Sequence, residues 1–144
     1  MFDDSSVVLP AVKAILATVL LALAVYQVLL MLVGYGKVSL PFLSGRAASR
    51  THRAVGDTVV AVAFVVAALC VGFYEVGDGV EDHGSRVLVH AVAGWTLVAA
   101  IVVKVSVVRW GGRRFGRFLP VLGSCVFALF VVVWATSAAF VLGG

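Results

Sequence analysis

Charge is scarce in this 144-residue sequence, where aspartate, glutamate, lysine and arginine together supply only 12% of the positions. A soluble domain carries about twice that share and about 45–50% apolar residues; here 62% are hydrophobic and mean hydropathy is +1.14. An ordinary soluble globular domain is therefore excluded. Cysteine is nearly absent too: Cys70 and Cys125 stand alone in separate apolar runs. With no second cysteine beside either, zinc and redox-dithiol motifs are ruled out. A disulfide between them needs Cα atoms within about 7 Å, and their runs place them toward opposite faces. No nucleophile–base set, phosphate loop or metal cluster points to a hydrolase. The net charge of +4 is not a nucleic-acid footprint, because the basic residues fall in loops between apolar runs.

What the chain has in abundance is length without charge. Four apolar runs, at about 7–33, 51–74, 86–108 and 118–142, each exceed the roughly 20 residues that carry a helix across a bilayer. The first run is too long for a signal peptide and follows an acidic opening with Asp3 and Asp4. Pro10 suits a first helical turn, and Lys13 is expected to snorkel toward the interface. Thr51 is the expected N-cap of the second span. The segment 34–51, broken by Pro41, reads as a loop with a short interfacial piece near Leu40–Leu43. Joined by short loops, the spans form one domain over 1–144, an all-α integral membrane antiparallel four-helix bundle. Alanine, glycine and serine are plentiful along it, which permits close helix approach.

The few charges fix an orientation. Lys37, Arg46, Arg50 and Arg53 gather around the first loop, and Lys104, Arg109, Arg113, Arg114 and Arg117 around the third. The second loop holds Glu75, Asp78, Glu81 and Asp82 against Arg86. By the positive-inside rule, loops 34–51 and 109–117 are cytoplasmic and both termini face outward. Trp110 and Phe115 flank the inner interface and Tyr74 the outer one, as aromatic belts do.

Ionisable residues inside a span are expensive, so they mark either a function or a packing partner. Arg86, His90, Gly94 and Lys104 share one stripe of the third span, since they step by three or four. Asp57 and Lys104 lie at similar depth near the inner face of antiparallel neighbours. The expectation is a structural Asp57–Lys104 ion pair, or Asp57 bonded to Arg53 one turn back. His52 and His90 are each followed four residues later by a glycine, Gly56 and Gly94. A glycine one turn from a histidine leaves room for a flat ring such as porphyrin, whose iron takes imidazole axially. The plainer readings are an interfacial His52 beside Arg53 and a core His90 bonded to a neighbour. At 1.5 Å per residue the two histidines lie on the order of 20 Å apart, so they cannot share one iron within a monomer. Cys70 at the depth of His90, Met31 at that of His52, a five-coordinate haem, or a ligand shared across a homodimer would each complete a site. Thr136 and Ser137, level with His90, can donate to a histidine, a propionate or a helix carbonyl.

These pieces together resemble a group of four-span prokaryotic membrane proteins related to b-type cytochromes and ferric-reductase-like haem domains. The matching residues are His52-Arg53 with Gly56, Arg86 through His90 with Gly94, Lys104, Leu119-Pro120 with Gly123, and Trp134 through Ala138. The likeness covers about 51–140. It implies haem b, with His90 the axial ligand and Arg86 a propionate partner one turn away. Leu69 stands beside Cys70 where those relatives place a second histidine. A shorter likeness joins Ser49 through Gly56 to the S-x-x-H-R-x-x-G pattern of succinate dehydrogenase cytochrome subunits, where it implies a quinone site. Two functions stay open: a b-type cytochrome-like redox protein or electron-transfer subunit, and a cofactor-free membrane subunit or scaffold of a larger complex. A transporter would want broken helices and polar residues at mid-span, and the middles of these spans are nearly pure valine, alanine and leucine.

Overall fold

The computed structural model describes residues 5–76 and 84–143. Asp3, Asp4, Asp78, Glu81, Asp82 and His83 lie outside the described residues, as do the side chains of Tyr74 and Glu75. The chain is all-α. Helix α1 spans Ser5–Gly34, α2 Gly45–Val76 and α3 Ser85–Trp110. A short helix α4 (Gly112–Phe115) and one 3-10 turn (Gly116–Phe118) lead into α5 (Leu119–Thr136), and α6 (Ala138–Gly143) closes the chain. Four helical stretches are long and apolar enough to cross a membrane: Pro10–Gly34, Gly45–Gly72, Ser85–Trp110 and Gly112–Thr136. One end of the bundle gathers Lys37, Arg46, Arg50, Arg109, Arg113, Arg114 and Arg117 and is called the basic end below.

Helix α2 starts six residues before the expected Thr51. Ser44 is its cap, accepting the Ala47 N–H on Oγ at 3.2 Å, and Thr51 sits inside the helix. Its 32 residues reach about 48 Å, well beyond a hydrocarbon core of about 30 Å. The arginine-bearing turns therefore project past the apolar layer as helix rather than loop. The turn before it is tight: Leu43 N–H bonds Leu40 C=O at 3.3 Å, and Phe42 stands 81% exposed at the tip. Leu40 and Leu43 fold back onto Leu30, Val33 and Ala48, a small core that closes the α1–α2 hairpin. Gly45 crosses α1 so closely that a Cβ would lie 3.4 Å from the Val33 carbonyl. At the other basic turn, Gly112 takes φ 56, a left-handed conformation that glycine adopts without strain.

The bundle is two hairpins, α1 on α2 and α3 on α5, joined mainly through α1 against α5. Among the four spans, α2 and α3 touch least of the sequential neighbours. All four spans meet in one core of Leu20, Ala24, Val59, Leu97, Ile101, Val126 and Phe130. The outward residues are also apolar, among them Ile15, Val65, Leu88, Val92, Trp95 and Val121. A surface this apolar is suited to lipid, because lipid tails replace the water that would reject it.

The expected Asp57–Lys104 pair does not form. Asp57 Oδ1 lies 3.7 Å from an Arg109 nitrogen, and both side chains are mostly exposed. Five residues separate Lys104 from Arg109, about 140° around the helix, so the two cations leave α3 on different faces. Asp57 points away from the bundle, while Lys104 is half-buried. Direction around the helix decided the partner.

Candidate functional site

The fourth span is not one continuous helix. It breaks at Ser137, whose φ of -123 and ψ of -80 leave the helical region. Three bonds hold the break. Ser137 Oγ donates to the Val133 carbonyl at 2.7 Å, and Ser137 N–H turns back to the Trp134 carbonyl at 3.2 Å. Arg86 then donates from α3 to the Thr136 carbonyl at 2.6 Å. That carbonyl would have gone to the next turn of an unbroken helix. A guanidinium satisfies it instead.

His90, one turn along from Arg86, reaches the same residue. Its Nδ1 lies 2.9 Å from Thr136 Oγ1. The threonine hydroxyl has one proton and two helix carbonyls to receive it, Val132 at 2.8 Å and Val133 at 3.1 Å. When that proton goes to a helix carbonyl, the hydroxyl accepts from the ring, and in that tautomer Nδ1 carries the hydrogen and Nε2 keeps its lone pair. Of the acceptors expected for these hydroxyls, a helix carbonyl is the one both Thr136 and Ser137 meet.

These groups line a cavity of about 310 Å³ at the end of the bundle opposite the basic one. Lys13, Cys70, Arg86, His90, Thr136 and Ser137 supply its polar atoms, and Val66, Val87, Val133 and three alanines much of its apolar wall. All four spans contribute. Lys13 does not merely snorkel: it lines the cavity and lies in electrostatic reach of both Cys70 and His90. Cys70 faces the same space from α2, as its depth suggested, while Cys125 is exposed on α5. Gly94 is not part of the lining, and a Cβ there would meet no atom within 4 Å. Trp134 ties this end together from behind, its indole N–H donating to Thr18 Oγ1 at 3.0 Å.

His52 and Gly56 belong elsewhere. They sit on α2 toward the basic end, against Gln27 of α1 and within electrostatic reach of Lys104 and Arg53. The histidine pair therefore marks two separate places in the bundle. Sequence reasoning passed over Gln27, although it is the only carboxamide side chain in the chain and lies deep in an apolar run. That isolation was the signal. Among the described residues no three histidine, cysteine or acidic side chains converge.

Four bilayer-length helices around one core, with a polar cavity at one end and a basic rim at the other, define a multi-pass membrane bundle. The chain belongs to DUF6529, a family of unknown function whose sequence pattern matches residues 5–144. No curated protein and no solved structure matches it.

Proposed function

We propose that the protein is a membrane electron-transfer component, a b-type cytochrome-like carrier or redox subunit, that holds haem at the cavity beside His90. The observation that carries the reading is the contact of His90 Nδ1 with Thr136 Oγ1 beside the cavity. A metal-binding histidine donates one ring N–H to a fixed acceptor and offers the other nitrogen as a lone pair. Thr136 serves as such an acceptor when its own proton goes to the helix. In that tautomer Nε2 has no hydrogen to give, which disfavours a quinone carbonyl as the ring's partner.

The other cavity residues fit the group by their chemistry. Lys13 and Arg86 are cations suited to the carboxylates of haem, Cys70 on α2 is a candidate second ligand, and the walls are apolar. The cavity volume falls within the range of small-molecule pockets, about 300–1,000 Å³. Bound there, haem would supply one-electron exchange between ferric and ferrous iron. The protein's share is to fix the ring of His90, to place cations at one end of the bundle, and to keep water out. The orientation that accompanies this reading is a prokaryotic cell membrane with the basic rim cytoplasmic and both termini outside, following the positive-inside rule.

One observation favours a second reading, a cofactor-free subunit or scaffold. Arg86 and His90 both bond Thr136 across α3 and α5, so they also serve as helix-to-helix ties. A visible spectrum separates the two. Protein from haem-replete cells, purified in mild detergent, is expected to show a Soret band that shifts on dithionite reduction. His90→Ala should abolish it. A wild-type protein with no Soret band overturns the cytochrome reading and leaves the scaffold.

A further inference from the structure

A second polar cluster, unused by the reading above, lies between α1, α2 and α3 toward the basic end. Gln27 Nε2 and His52 Nδ1 are sealed from solvent, and neither meets a hydrogen-bond partner. No side chain separates Gly56 from the amide: a Cβ on Gly56 would stand 3.9 Å from Gln27 Nε2. Lys104 and Arg53 act on His52 electrostatically. Lys104 makes no hydrogen bond or ion pair among the described residues, and the nearby carboxylate, Asp57, is taken by Arg109. Donors outnumber acceptors. An amide NH₂, an ammonium, a neighbouring guanidinium and an imidazole can all donate; the Gln27 backbone carbonyl faces His52, and no carboxylate is present to balance the charge of Lys104. Buried donors and an unpaired cation in a low-dielectric bundle are costly until an acceptor arrives.

We propose that Gln27, His52 and Lys104 form an anion site that takes a phosphate group, either free inorganic phosphate or the headgroup of an anionic lipid. Position supports the choice. The cluster lies where α2 leaves the apolar layer, beneath the turns that carry Arg46 and Arg50, and these arginines concentrate anions at that rim. Lys104 supplies the charge, and the Gln27 amide adds a directional bond that a bare cation lacks.

The test is the melting temperature of the full chain in mild detergent. Inorganic phosphate is compared with sodium gluconate at equal ionic strength, and micelles doped with phosphatidylglycerol with micelles doped with phosphatidylcholine. The expected result is a rise on the order of 5 °C from at least one phosphate source near saturation. The arm that responds identifies the source. Lys104→Met and Gln27→Leu should each remove the increment while keeping helical circular dichroism. Gln27→Leu is decisive, because it alters no charge and so spares the surface arginines. Should Lys104→Met fail to fold, Lys104→Gln replaces it. No increment in either arm, or an undiminished increment in Gln27→Leu, overturns the proposal and leaves these donors to water. The haem reading is scored separately by the Soret band, so either proposal can fail while the other stands.

Discussion

The two ends of this bundle carry a similar set of side chains, a histidine with lysine and arginine nearby, and solve it in opposite ways. At the cavity end, His90 and Arg86 converge on Thr136, and a broken helix supplies the acceptors. At the basic end, Gln27 Nε2 and His52 Nδ1 are sealed without a partner, Lys104 meets no carboxylate, and α2 runs unbroken. The difference follows from the backbone. The break in the fourth span frees the Thr136 carbonyl for Arg86, and the hydroxyl of the same residue meets His90. The unbroken α2 frees no such carbonyl, and Gln27 Nε2 and His52 Nδ1 stay without a partner. Residue type alone does not separate a ligand-giving site from a ligand-seeking one. The partner of each nitrogen does.

Several substitutions test how firmly that contrast holds. The largest effect is expected from Thr136→Val, which removes the acceptor of His90 Nδ1 while preserving shape. Haem affinity should fall about 10- to 100-fold in a titration of apoprotein, with Thr136→Ser close to wild type. An unchanged affinity in Thr136→Val would mean that the tautomer is set by something else. Next comes Ser44→Ala at the basic end, which deletes the cap of α2. About 1 kcal/mol of stability should be lost in denaturant titrations, with the Soret band unmoved. Trp134→Phe gives up the bond to Thr18 and should cost about 0.5–1.5 kcal/mol, toward the lower end because hydrogen bonds within membrane bundles are modest. Smallest of all is Asp57→Asn. Its partner Arg109 is exposed, so the change should stay within about 0.5 kcal/mol by the same titration. A loss of several kcal/mol there would restore the buried Asp57–Lys104 pair that the sequence suggested.

The four spans were legible because an apolar run of more than 20 residues has few other fates, and all four appear in the structure. Their ends were less so. Ser44 carried a cap signal, but the arginines after it resembled a loop, because turns that project beyond the apolar layer lose the hydropathy that marks a span. The break at Ser137 was hidden for another reason. Thr136-Ser137 hydroxyls bonded back to their own helix are common in unbroken helices, and what stabilises the break here is Arg86, fifty residues away in sequence. For the site, spacing put Arg86 and His90 on one face correctly and placed Thr136 and Cys70 at their depth. Spacing could not say that Gly94 faces away from the cavity, that Lys13 faces into it, or that Asp57 pairs with Arg109 and not with Lys104. Those are matters of rotation between helices, which a periodic pattern leaves undetermined when every face is apolar.

The central claim is that the histidine held by Thr136, and not the one beside Gln27, holds the redox group. The direct measurement is the reduced-minus-oxidised visible spectrum of wild type, His90→Ala and His52→Ala, purified side by side from haem-replete cells. The account predicts a Soret band in wild type, its loss in His90→Ala and its survival in His52→Ala. A band that survives in His90→Ala and disappears in His52→Ala would contradict it.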